Sequence, residues 1–374
     1  MKIINCFNIN YLFFINKSMN YYSKYIVDIN QLNKNLFKIK NTLKYDVKFC
    51  AVVKADAYGI GLETICKALS NKVDFFAVAC LKEALKIREF DKTTKILVLG
   101  LVDVGDIDEC YKNNVSISVG DLDYLYKISN KKVSVHIQIN TGLNRFGFKL
   151  ISDFKKCLKY IKETNLKLEG VYSHFATKSS NVGFIKQQFM KFKQFKNLIC
   201  DKGVICHISN SYGLTYSRNF NLDMVRSGFL MYGFMDNTIG CKPILEIKTR
   251  IVRIFTVKKG DTIGYDRSYA IEKKTTIGVV PLGYADGISR RLSNNFYVLI
   301  KGKKYKIVGY VCMDVFMVDL LGDSINVGDE VVILGKSANK QITLQDYAKI
   351  LNTSPYEILL NFNFKRMQYI INWL

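Results

Sequence analysis

Between Phe49 and Gly233, short apolar and β-branched runs alternate with longer amphipathic stretches. That alternation specifies strand-helix-strand units and a parallel sheet. Eight strands are predicted, over residues 49–55, 75–80, 95–100, 115–120, 133–140, 168–174, 206–211 and 224–233. Between them lie predicted helices such as 184–199, where Phe184, Ile185, Phe189, Phe192, Phe195 and Ile199 recur at near-helical spacing. Eight parallel strands with intervening helices predict an α/β fold with a (β/α)8 barrel; a doubly wound open sheet is the competing arrangement. After Lys242 the texture changes to short β-rich runs at 245–257, 275–280, 296–300, 305–319 and 330–334, separated by glycine turns. This predicts a second, mainly antiparallel β domain, closed by a helix over 343–351 and a strand near 367–371. The expected division is an N-terminal extension at 1–24, a barrel at 25–241 and a β domain at 242–374.

At 374 residues and 49% hydrophobic content the chain can bury two cores, which excludes disorder as the default. A formal charge of +23 raises nucleic acid or a membrane surface as partners. The lysines are spread along the whole length among Asn, Ile, Tyr and Phe, so the charge reads as compositional drift, and neither partner is expected. Ten cysteines form no CxxC pair and only three histidines accompany them, which argues against a metal site and for reduced structural thiols. No apolar run is long enough to span a bilayer, and Asn5, Asn8, Asn10 and Asn16 interrupt the leader Met1 to Ser18. A cytoplasmic enzyme is expected, with Met19 an alternative start.

Barrel enzymes carry their reactive groups at the C-terminal ends of the strands. That rule selects Lys54 after the first predicted strand, Arg145 after the fifth, His174 on the sixth, Asn210 and Ser211 on the seventh, and Arg226 on the eighth. Taken singly, a lysine at a strand end is a solvated charge and a lone histidine a structural residue. In the string AVVKADAYGIG, however, an apolar strand delivers Lys54 into a site beside glycines that permit a tight turn. A desolvated lysine has a depressed pKa and can form a Schiff base with an aldehyde cofactor.

This string resembles the cofactor-lysine motif of alanine racemases, AVVKANAYGHG, from which Asp56 and Ile60 depart. Further similar strings follow in order: NTGLNRFG, GVYSHFAT, CHISNSYG, DMVRSGFLMYG, GYDRSY, PLGYADGISRRLSN, VGYVCMD and NVGDEVVILG. The resemblance runs from about Tyr25 to the C-terminus and implies a barrel followed by a β domain. It implies pyridoxal 5'-phosphate held by Lys54, with Tyr58, Ser211, Tyr356 and the backbone amides of Gly228 and Phe229 around the phosphate and Asn210 beside them. Arg226 would face the pyridine nitrogen, and His174 would bridge Arg226 to a catalytic tyrosine. Racemisation needs two opposed acid/base groups, one for each face of a planar centre. The resemblance assigns these to Lys54, acting on D-alanine, and Tyr265, acting on L-alanine. Tyr265 and the segment Cys312, Met313 and Asp314 would come from the partner subunit of an obligate homodimer, with Arg145 and Met313 holding the substrate carboxylate. The implied activity is interconversion of L- and D-alanine, supplying D-alanine for peptidoglycan.

Two departures matter. Gln138 stands where many relatives carry a carbamylated lysine, so no carbamate is expected, and Gln138 or an anion such as chloride would serve Arg145 instead. The tail NFNFKRMQYI lacks the glycine and prolines of the family pattern, which bears on Tyr356. The alternatives are a broad-specificity or serine racemase of the same fold, a non-catalytic pyridoxal-phosphate carrier, a decarboxylase on the same plan, and a basic nucleic-acid-binding protein.

Overall fold

The computed structural model describes residues 22–177, 181–236 and 238–373. The leader and the alternative start at Met19 lie outside the described residues. In chain order the strands are β1 (Lys24–Asp28), β2 (Lys48–Val52), β3 (Phe75–Val78), β4 (Lys95–Val98), β5 (Val115–Val119), β6 (Ser134–Gln138), β7 (Lys167–Tyr172), β8 (Ile205–His207) and β9 (Met224–Ser227). They continue with β10 (Leu245–Arg250), β11 (Arg253–Val257), β12 (Thr262–Ile263), β13 (Tyr269–Ala270), β14 (Thr275–Val280) and β15 (Tyr297–Ile300). The last are β16 (Lys303–Val308), β17 (Phe316–Asp319), β18 (Glu330–Ser337), β19 (Lys340–Ile342) and β20 (Gln368–Asn372).

Strands β2 to β9 form one parallel sheet in the order β8-β7-β6-β5-β4-β3-β2-β9. Its two ends meet, because Arg226 N donates to Ser209 O at 3.0 Å and Asp223 N to Cys206 O at 3.0 Å. This closure decides for a barrel over an open doubly wound sheet. Such strands are covered on both faces, which is why β5, VSISV, is buried at every position. The helix Val182–Lys196 lays Ile185, Phe192 and Phe195 on the barrel wall.

The second sheet has the order β11-β14-β17-β16-β15-β18-β10-β1-β20, with β19 on β18. Burial alternates along β10, as expected where one sheet face is packed and the other solvated. Every pair in this sheet is antiparallel except β1 with β20, which run parallel. The first described strand thus lies between β10 and β20, with Tyr25 level with Ile247 on one side and Tyr369 on the other. Two predicted runs are each divided: 245–257 becomes β10 and β11, at different places in the sheet, and 305–319 becomes β16 and β17. The helix Leu344–Leu351 starts at a reciprocal cap, with Asp346 N donating to Thr343 Oγ1 (3.2 Å) and Thr343 N to Asp346 Oδ2 (2.8 Å). Among the described residues no helix is long and apolar enough to cross a membrane.

Candidate active site

At the C-terminal mouth of the barrel lies a cavity of about 440 Å³ whose walls include Lys54, Tyr58, Gln138, Arg145, His174, Asn210, Ser211, Arg226, Gly228 and Tyr356. Residues scattered over 302 positions of sequence therefore meet at one place, where a barrel presents its strand ends. Phe229 joins them from behind: its ring stacks on Tyr356 at 3.9 Å between centroids, 18° from parallel.

Lys54 leaves β2 into an unusual turn. Ala55, Asp56, Ala57 and Tyr58 all take left-handed helical backbone angles, with φ between 53° and 62°. Each such non-glycine residue costs about 1–2 kcal/mol, so the turn persists only because its surroundings fix it. Glu83 accepts from Ala55 N (2.6 Å) and Ala79 N (2.8 Å), and Asp56 Oδ1 accepts from Leu62 N at 2.7 Å. From the second sheet, Tyr25 on β1 donates its hydroxyl to Gly59 O at 2.9 Å and Tyr369 on β20 donates to Ile60 O at 2.6 Å. The β domain therefore caps the backbone that carries Lys54. Burial lowers the Lys54 pKa, the Arg145 charge lowers it further, and Glu83 opposes both. A larger neutral fraction makes the amine a better nucleophile and base.

Beside it is a cluster of hydroxyls. Ser211 Oγ accepts from Gly228 N at 3.4 Å and Leu230 N at 3.3 Å. A Cβ at Gly228 would lie 2.7 Å from the Tyr58 hydroxyl, so only glycine admits that ring. The Tyr58 ring sits 5.8 Å from that of Tyr356, whose hydroxyl bonds to Tyr212. Asn210 Oδ1 caps the turn that begins at Ser211, accepting from Tyr212 N and Gly213 N at 3.1 and 3.0 Å.

On the floor, Arg226 is 2% exposed, and among the described residues no carboxylate pairs with it. Its Nη2 donates to Ser173 O at 2.7 Å, its Nη1 donates to His207 Nδ1, and its guanidinium lies over the Tyr172 ring at 5.2 Å. His174 is 3.4 Å from both Arg226 Nη2 and Asn210 Nδ2. Burial, followed by the charges of Arg226, Arg145 and Lys54, pushes its pKa down to about 3, so it is neutral at physiological pH. Gln138 is buried and accepts from the Tyr172 hydroxyl at 3.1 Å. Lys54, Arg145 and Arg226 thus line a chamber that has no carboxylate among the described residues of its walls, which suits an anionic occupant.

Tyr265 and Met313 are not in this chamber. Both lie in the second domain and are exposed, at 68% and 54%. Cys312 is half-buried beside Met313, and Asp314 pairs with Arg366 at 2.6 Å. Tyr172, His207, Tyr212 and Glu83 also belong to the site or its support, beyond the residues that the sequence pattern marks. His207 had a signal, since it lies three residues before Asn210 on a barrel strand, and Tyr212 adjoins Ser211. Glu83 had none, because its role is to tie down backbone across the sheet.

Comparison with known proteins agrees with this geometry. The family model for the alanine racemase N-terminal domain matches residues 27–236, and that for the alanine racemase C-terminal domain matches residues 244–370. Alanine racemase 2 of Caldanaerobacter subterraneus is 36% identical, covering 89% of this chain and 90% of its own. The crystal structure of alanine racemase from E. faecalis superposes with a TM-score of 0.89 at 29% identity, over 95% of this chain and 99% of that one. The Bacillus anthracis alanine racemase with bound L-Ala-P superposes at 0.84 with 31% identity, over 94% and 95% of the two chains. A closed barrel with this chamber, followed by this sheet, defines an amino-acid racemase of the two-domain type. The chain belongs to the alanine racemase family.

Proposed function

We propose that the chain interconverts L- and D-alanine with pyridoxal 5'-phosphate carried on Lys54, as a homodimer in which each chain completes the other's site. The observation that carries this reading is the meeting of Lys54, the hydroxyls of Tyr58, Ser211 and Tyr356, and the buried Arg226 in one cationic chamber. The residues fit the cofactor: hydroxyls and the Gly228 and Phe229 amides for a phosphate, a lysine of lowered pKa for an aldehyde, and a volume within the range of small-molecule sites. When bound, the cofactor supplies a conjugated ring that withdraws the electron pair left at the α-carbon.

Arg226 would face the ring nitrogen. As a cation it cannot accept the ring's proton, so charge stays near the α-carbon and prompt return of a proton is favoured over transamination. His174, neutral and beside Arg226, would orient it toward Tyr265. Lys54 Nζ would take or return the proton on one face, acting on D-alanine. The other face needs a second acid/base group, and this chain's own Tyr265 is not among the residues lining its chamber. Tyr265 from a second copy would act on L-alanine, accompanied by Cys312, Met313 and Asp314; the exposure of Tyr265 and Met313 supports this. Arg145 and Met313 would hold the substrate carboxylate, with Gln138 as a neutral neighbour of Arg145 in place of a carbamylated lysine. The product would serve peptidoglycan synthesis in the cytoplasm.

The test is conversion of each alanine enantiomer, with serine, lysine and arginine alongside. The expected result is alanine conversion and an absorbance band near ~420 nm that Lys54→Ala abolishes. No conversion, or an unchanged band in that variant, would overturn the reading.

A further inference from the structure

All three histidines of the chain lie near Arg226, and two of them continue away from the chamber into the barrel. His207 Nε2 is 2.9 Å from His136 Nδ1, and His136 Nε2 is 3.3 Å from Glu169 Oε2. Glu169 is 7% exposed and also accepts from Lys95 Nζ and Ser116 Oγ. The line thus runs from the floor of the chamber to Glu169 near the start of β7, where the half-exposed Lys95 at the start of β4 meets it.

Donor and acceptor roles along this line are forced. A guanidinium can only donate, so His207 Nδ1 must be bare and its proton must sit on Nε2. That N–H points at His136 Nδ1, which must also be bare, and His136 therefore donates from Nε2 to the Glu169 carboxylate. A doubly protonated His136 would set its Nδ1–H against the N–H of His207 and break the line, so both rings are neutral. The ring planes are held by their neighbours: Tyr172 stacks on His207 at 5.0 Å and 7°, and Phe75 meets His136 edge-on at 5.9 Å. At Gly170 a Cβ would come within 2.4 Å of His136 Nδ1, so the backbone leaves that ring only this slot.

We propose that Glu169 is a positioning residue for the reaction: through His136 and His207 it holds Arg226 as an oriented, donor-only cation at the floor of the chamber. This rests on the cofactor reading above for its catalytic consequence, but not for its geometry. Glu169 is the carboxylate to which the buried Arg226 is linked, two imidazoles away, and the order of protons along the line records that link. An amide keeps only one oxygen, and the donor-only ammonium of Lys95 claims it, so the amide N–H faces His136 where the line needs an acceptor; this favours the opposite tautomer of both imidazoles and opposes a histidine N–H to Arg226.

With only three histidines in the chain, ring-¹⁵N-labelled protein reports each tautomer directly. In the wild type, His136 and His207 should show a bare Nδ1 and a protonated Nε2, unchanged from about pH 5 to about pH 9. In Glu169→Gln at least one should lose that tautomer, and kcat for alanine should fall about tenfold with KM and cofactor retention within about twofold. Lys95→Met, which touches Glu169 but not the line, should leave both tautomers in place. A wild-type Nδ1–H on either histidine overturns the proposal, even if Glu169→Gln fails to fold. So does an altered kcat with intact tautomers, or altered tautomers with wild-type kcat. The NMR readout needs no cofactor, so failure of the cofactor reading would appear separately, as wild-type protein that binds no pyridoxal phosphate.

Discussion

Lys54 and Tyr265 both adjoin backbone of positive φ, yet their surroundings differ. Around Lys54, Glu83, Tyr25 and Tyr369 fix the turn, and Arg145, Arg226 and the tyrosines close over the side chain. In the Tyr265 loop, Gly264, Asp266 and Arg267 have φ of 76°, 55° and 50°, and Ser268 N bonds to Tyr265 O at 3.2 Å, so the backbone is shaped too. Its side chain, however, meets solvent. The barrel completes its chamber within one chain, whereas the β domain holds a formed loop whose side chains face outward. A shaped, strained loop that leaves its tyrosine facing outward is what a loop serving another surface would show.

If that contrast is a division of labour between two copies, mixing is the sharpest way to break it. Lys54→Ala alone should lose at least ~10⁴-fold in racemisation, and Tyr265→Phe alone about 10²–10³-fold, mostly in turnover of L-alanine. Dissociated and reassociated together, the two variants should recover about a quarter of wild-type activity, because half of random dimers carry one intact site of two. No recovery would place Tyr265 in its own chain's site.

A second prediction separates the sides by stability. Gly170→Ala, inside the barrel, should lower folding stability by about 1–3 kcal/mol in denaturant titration. Tyr265→Phe, exposed, should leave the midpoint unmoved; a loss comparable to Gly170→Ala would mean the side chain is buried in the chain alone.

The smallest effect is one of pH. His174 is held near a pKa of about 3 by burial and by Arg226, Arg145 and Lys54, below its ordinary value of 6.5. Between those values the unfolded chain binds a proton that the folded one refuses, so stability is full above about pH 6.5 and declines below it, by at most ~1.4 kcal/mol per pH unit. His174→Gln should flatten that slope in denaturation midpoints between pH 7 and pH 5. An equal slope in the variant would assign the decline to other groups.

The barrel was legible because its strands are mostly buried apolar runs; each of the eight predicted segments overlaps an observed strand. The strands end earlier than their apolar runs predict. Segment 206–211 ends as strand at His207 and 224–233 at Ser227, because the loops that follow carry apolar residues into the same core. Lys54 and Arg226 could be found from strand position. The line through His136 and Glu169 could not, since inward-facing polar residues on β6 and β7 look like any satisfied core polar group until their partners are known. The place of β1 was equally hidden: KYIVD reads as one more short strand, and nothing local to it names β10 or β20.

That strand bears on how the molecule is made. A ribosome releases Lys24–Asp28 long before either neighbour: β10 begins at Leu245 and β20 at Gln368. Tyr25 and Tyr369, which cap the carbonyls of Gly59 and Ile60, stand on β1 and β20. Contacts so distant in sequence form late and slowly. The left-handed turn that carries Lys54 therefore gains its last caps only after Tyr369 has been made, and a chain released before that point emerges with the carbonyl of Ile60 uncapped.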